Sequence, residues 1–266
     1  MEVHAHSSPS PGGTHISRKR WTHYLWEFLM LFLAVFCGFL AENQREHMVE
    51  HQRAKVYATN LYQELKKDTA GINKIIQDIK ITTGKLDSFC LLGTKKINNN
   101  LTSGMLYYYA SYATSINLYA SENTTIDQLK GSGNLRIMGN NISQLINVYG
   151  KKLNGLENEY GLTRPEFAKI EELYFKIFDG YAIQQLLREG EAQVRDSVNR
   201  RPPVRDSVFK LNTPLINENP AMMKELIGWL AFESLIYQSH IKNFLIPLKQ
   251  TAAELIESLK KEYHLQ

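Results

Sequence analysis

Cysteine is nearly absent from this chain: two occur in 266 residues, Cys37 and Cys90. Cys37 lies inside the most apolar run, so a bridge to Cys90 would draw a polar segment into apolar surroundings. That excludes a disulfide framework and a cysteine zinc site. Proline (8) and glycine (16) are sparse and cluster where helices would end, which leaves long stretches free to be helical. Charge of one sign is also lacking. The formal net charge is +4, and the lysines and arginines are spread rather than striped, so nucleic acid is not an expected partner. Alternating apolar and polar residues are scarce, no internal repeat is evident, and 43% hydrophobic content excludes general disorder. The expected class is all-α.

What the chain does have is one long apolar run near its start. From Phe28 to Ala41 it reads FLMLFLAVFCGFLA, without a charge. Extending back through Tyr24 brings the stretch to about 18 residues, within the spanning range of a membrane helix. Trp21, Tyr24 and Trp26 are aromatics suited to the headgroup level, and Glu27 beside them can reach water from that depth. Arg18-Lys19-Arg20 precede the span, whereas Glu42, Arg45 and Glu46 follow it without a basic excess. The positive-inside rule then places the N-terminus in the cytoplasm and the bulk of the chain across an inner membrane. A cleaved signal peptide is the competing reading. It needs small residues before the cut, but Phe39 stands two positions before Ala41, and Phe36 spoils a lipoprotein-type site at Cys37. An uncleaved signal-anchor over 21–41 is therefore expected, preceded by a disordered tail over 1–20 that is rich in Ser, Pro, Gly and His.

Beyond the span, residues 42–60 read as a polar helical stalk. Leu61, Leu65, Ile72, Ile75, Ile76, Ile79, Leu86 and Phe89 then fall at spacings of three, four and seven, one face of an amphipathic helix. A second such segment closes the chain. It opens at Asn219-Pro220, as N-cap and first helical residue, and continues through Leu226, Leu230, Glu233, Tyr237, Ile241, Leu248, Leu255 and Leu259 at near-heptad, coiled-coil-like spacing. Pro247 should kink it. Two long amphipathic helices at opposite ends of residues 61–266 most simply pack antiparallel in a helical bundle. Between them, Lys95 to Ser103 reads as a loop, Met105 to Leu118 as a tyrosine-rich helix, and Thr124 as a helix start with hydroxyls available as caps. Gly131-Ser132-Gly133-Asn134 reads as a helix-breaking turn, followed by helices over about Asn141–Tyr160 and Pro165–Phe178. Residues 190–219 form the expected mobile loop.

The sharpest chemical pattern is His47-Met48-Val49-Glu50-His51, which matches H-x-x-E-H. On a helix, His47 and His51 share a face and could hold Zn²⁺ while Glu50 activates a water, as in a metal-dependent hydrolase. The pattern lies on the polar stalk, however, without apolar neighbours to close a site and without a third ligand at a recognisable spacing. A solvated helix face is the better reading. No serine or cysteine stands in a nucleophile setting. Neither a catalytic site nor a cofactor is expected.

The run WTHYLWEFLMLFLAVFCGFLAENQREH, the polar stalk after it and LYQELKKD resemble the uncharacterised single-pass membrane-anchored proteins of Bacteroidota. The stretch IDQLKGSGNLRIMGNNISQLINVY is similar to a turn between two helices that recurs in that family. The resemblance implies a periplasmic helical domain of unknown function and no catalytic residues. The functional expectation is thus a protein held in the lipid bilayer whose helical domain binds a periplasmic protein partner or forms a homo-oligomer. A ligand-sensing domain that signals through oligomerisation is the alternative.

Overall fold

The computed structural model describes residues 18–98, 103–113, 118–162, 164–191 and 213–265, and every regular element among them is helical. The N-terminal tail with His4, His6 and His15, and the Arg200-Arg201-Pro202-Pro203 stretch, lie outside the described residues. In chain order the elements are α1 (Arg18–Asn98), α2 (Ser103–Ala110), α3 (Thr124–Gly131), a 3-10 turn (Asn134–Met138), α4 (Asn140–Gly161), α5 (Pro165–Ile177) and α6 (Gly180–Glu191). They are followed by α7 (Pro220–His240), a π-helical segment (Ile241–Leu245) and α8 (Ile246–Tyr263). The all-α expectation holds for the described residues.

The chain divides into two units, Met1–Ala54 and Lys55–Gln266. In the first, the apolar residues of α1 are exposed, from Trp21 to Leu40. This helix is the one candidate among the described residues that is long and apolar enough to cross a membrane, and none of its apolar window is buried in the protein. Phe28, Phe32 and Phe36 stack one turn apart along it, with ring centroids 6.3 and 5.9 Å from each other.

The second unit takes its core from the positions that the periodicity marks. Leu61, Leu65, Ile72, Ile79, Leu86 and Phe89 of α1 are buried, as are Leu226, Leu230, Leu248, Leu255 and Leu259 of α7 and α8. Burial also takes in Ala58, inside the stretch read as a stalk, because alanine packs closely without carrying an apolar signal of its own. Along α1, Lys96 pairs with Glu218 just before α7, Cys90 meets the Ile227 carbonyl of α7 and Asp87 accepts from Ser234 of α7. Residue numbers fall on one helix as they rise on the other, so the two run in opposite directions. α4 packs on α8, and α5 on α7.

Several local expectations change. α1 continues through Lys95 and Lys96 to Asn98, shortening the expected loop over 95–103. The tyrosine-rich helix is short. It starts at Ser103 and ends at Ala110 in turns through Ala113, where the Ser111 and Ala113 amides bond back to Tyr107 and Ala110. The ends of the loop expected over 190–219 are ordered. α6 includes Gly190 and Glu191, and at the far end Leu215 is buried, the Ile216 amide donates to the Ile177 carbonyl, and the Tyr107 hydroxyl donates to the Pro214 carbonyl at 3.0 Å. The turn at 131–134 holds because Gly133 sits at φ +70°, a left-handed conformation that suits glycine. Asn219 caps α7 by accepting from the Ala221 amide at 2.9 Å. Pro247 is accommodated by the π-helical segment just before it, since proline cannot donate the bond that a regular α-turn needs there.

Candidate functional site

His47, Glu50 and His51 lie on α1 within the first unit, His47 and His51 exposed and Glu50 half-buried. Among the described residues no group of three or more His, Cys, Asp or Glu side chains is gathered so as to hold a metal ion. Trp21, Tyr24 and Trp26 are exposed on the same helix, and Glu27 pairs with His23 one turn away at 3.2 Å. Just past the apolar run, Arg45 holds Glu42, with Nε donating to Oε2 at 3.1 Å, and the Glu42 carboxyl is drawn below its ordinary range.

The chemistry buried in the second unit comes from residues that belong to no sequence motif. Arg164 stands at the N-terminus of α5, where proline at the first helical position fixes the helix start. Its Nη2 donates to both carboxylate oxygens of Glu233 on α7, at 3.0 and 2.8 Å, and its Nε donates to Glu166 at 2.7 Å. The guanidinium also lies 4.4 Å from the ring centre of Phe167. Glu233 is only 1% exposed. Burial raises its carboxyl above the ordinary range, and the Arg164 charge offsets part of that rise. Tyr237, one turn on, is raised too, by burial and then by the Glu233 charge.

The same wall of α7 carries His240, whose Nε2 lies 3.2 Å from the Tyr160 hydroxyl of α4. That hydroxyl also accepts from the Tyr119 amide at 3.1 Å, so its own proton is available to a neutral imidazole. Burial, followed by the charge of Arg164, lowers the His240 pKa to about 4. Its ring stacks on Phe244 with centroids 5.3 Å apart.

A second cluster sits where α1 meets the segment leading into α3. Asp68 is buried and accepts from Ser121 Oγ at 2.6 Å, from the Tyr149 hydroxyl at 2.6 Å and from the Glu122 amide at 3.3 Å. Glu64, one turn earlier, accepts from the Thr125 amide at 3.2 and 3.1 Å and from its hydroxyl at 2.7 Å. Thr124 and Thr125 therefore do not cap α3 themselves. A carboxylate from α1 takes that role, and a negative charge is favoured at a helix N-terminus. The Tyr119 ring lies against Gly71, 3.1 Å from where a β-carbon would be, and its hydroxyl is buried without a hydrogen-bond partner among the described residues. Burial, with Tyr149 and Asp68 beside it, pushes that phenol well above its ordinary range.

Both clusters are closed and join helices to one another. His240 bonds a tyrosine rather than a serine or cysteine, and Asp68 bonds two hydroxyls and an amide, so neither set forms a nucleophile, base and orienting group in series. One signal for the first cluster was present in the sequence: Glu233 occupies a core position of the heptad-like pattern, and a charge there needs a buried partner. Arg164 carried no such mark. The tyrosine-rich stretch divides between core and surface. Tyr107 is fully buried and edge-on to Phe178 at 5.2 Å, while Tyr108 and Tyr109 are half-buried beside the Lys85 ammonium. Compared with known proteins, the chain matches no family model, no curated protein and no solved structure.

Proposed function

We propose that this is a single-pass inner-membrane protein whose exported helical bundle works by association, with itself or with a periplasmic partner, rather than by catalysis. The carrying observation is α1. One unbroken helix bears an apolar segment with no share of its window buried, and further on it supplies the core positions Leu61 to Phe89. An apolar stretch of that length left uncovered is stable in a bilayer and unstable in water. Trp21, Tyr24, Trp26 and Glu27 mark its cytoplasmic border in this reading. The polar clusters support a mechanical role, since they tie α1, α4, α5 and α7 to one another and leave their charges inside.

Fractionation tests the reading. The full chain should stay with membranes through a high-pH carbonate wash, and a version lacking residues 1–41 should be released. Extraction in mild detergent should then give a species larger than one chain. Release of the full chain by carbonate would overturn the anchor, and a lone monomer without companions would overturn the association.

A further inference from the structure

We propose that the outer face of α7 is a seam on which a second copy of this chain packs, with the two α7 helices parallel about a two-fold axis. This rests on the association reading above and names its partner. From Leu226 to Phe232 α7 carries no polar side chain, and its solvent side includes Gly228, Ala231, Phe232 (51% exposed) and Leu235 (62% exposed). Such a helix is ordinarily covered on every side. Gly228 sits in the middle of that face. A β-carbon there would meet nothing within 4 Å, and the backbone needs no special conformation. Glycine weakens a helix interior relative to alanine, and nothing among the described residues requires it. Gly84 and Gly155 are equally open; Gly228 differs in lying beside the exposed Phe232 and Leu235, where it admits close approach of another backbone.

Helix geometry supplies the complementarity. At about 100° per residue, Ala221, Gly228 and Leu235 fall within about 20° of one line along α7. Lys224 and Ala231 lie to one side of that line, and Glu225 and Phe232 to the other. A parallel two-fold sets the left side of each helix beside the right side of its mate. Lys224 then faces Glu225 of the second copy, and the pairing occurs twice. One turn on, Phe232 faces Ala231 of the second copy, a large side chain against a small one. Gly228 meets Gly228 on the axis, and Leu235 meets Leu235. The antiparallel alternative brings Lys224 and Glu225 against the apolar residues near Leu235 and satisfies neither charge. Lys224, Glu225, Gly228, Trp229 and Phe232 already line a shallow depression on this face. Glu225 also lies 3.5 Å from Lys169 of α5, a contact between exposed side chains that a second lysine can join.

The test uses the full chain in native membranes and in mild detergent, with Cys37→Ser and Cys90→Ser removing background thiols. Leu235→Cys should give a disulfide-linked dimer under mild oxidation, while Glu254→Cys, exposed on α8, should not. Lys224→Glu and Glu225→Lys should each weaken the dimer roughly threefold to tenfold by setting like charges together, and the double exchange should restore it. Gly228→Leu should leave the circular dichroism intact and abolish the dimer. If Leu235→Cys stays monomeric while the protein runs as a dimer indifferent to the charge exchanges, this seam is wrong and the association reading stands. Capture of a different protein in place of a second copy also overturns the seam and leaves that reading in place. A Leu235→Cys thiol shielded from maleimide in a monomer would show that the chain covers its own face. A lone monomer without companions overturns both.

Discussion

At the scale of single residues, the Arg164–Glu233 pair is the most consequential contact. Glu233 is 1% exposed and its two oxygens are both occupied by one guanidinium. Arg164→Ala would leave that carboxylate buried without its partner, so a loss of about 3 kcal/mol is expected from denaturant unfolding. Arg164→Lys should recover only part of it, because an ammonium cannot donate as a fork. A loss below about 1 kcal/mol would mean that Glu233 takes up a proton or reaches water instead. His240 sets the acid limit. Its folded pKa of about 4 lies below its ordinary value of 6.5. Between those values the unfolded chain binds a proton that the folded chain does not, so stability is fully present above pH 6.5 and falls as pH drops toward 4. Glu233 works in the opposite sense, since its folded pKa is raised and its contribution falls as pH rises from about 4.5 through its folded value. The difference between wild type and His240→Phe cancels Glu233 and should change by roughly 2–3 kcal/mol from about pH 7 to about pH 4. A difference that is flat with pH would place His240 in contact with water.

At the scale of elements, two glycines of α1 make a matched pair. Gly71 faces the buried Tyr119 ring at 3.1 Å, whereas a β-carbon at Gly84 would meet nothing within 4 Å. Gly84→Ala should stabilise by roughly 0.5–1 kcal/mol through helix propensity alone. Gly71→Ala must move a ring packed between helices, and its Tm should fall below that of the wild type. Removal of the carboxylate at Glu64 should loosen α3 from α1, at a cost of about 1–2 kcal/mol typical of a lost helix cap. Faster hydrogen exchange of the Thr125 amide, with the α4 amides unchanged, would identify it. These positions also mark the limit of what could be read from sequence. The buried faces of α1, α7 and α8, the Asn219 cap and the Gly133 turn were legible because periodicity, proline position and glycine freedom are local signals. The Glu64 cap was not, since it joins residues 61 apart in sequence and threonine offers an equally good local cap. Nor was the burial of Ala58, whose small side chain leaves no trace in an apolar pattern. Arg164 looked like an ordinary surface charge beside a proline.

At the scale of the molecule, the proposed reading turns on the side of the membrane on which the helical domain would lie. In the proposed reading the apolar run of α1 is an anchor, and the flanking basic residues decide its direction. Arg18, Lys19 and Arg20 stand together just before it, while Arg45, Arg53 and Lys55 are spread over the turns that follow. The positive-inside bias is counted over about 15–20 residues from each end of a span, and three basic residues fall on each side within that distance. In that reading orientation depends on how tightly the N-terminal three are clustered at the border. Replacement of Arg18, Lys19 and Arg20 by glutamine removes that advantage and should yield a mixed population, readable as partial loss of protease access to the domain in spheroplasts. Adding lysines at Ile16, Ser17 and Thr22 to the wild type should leave access complete. A triple-glutamine variant that keeps full access would show that direction is set instead by the folding of the domain behind the span.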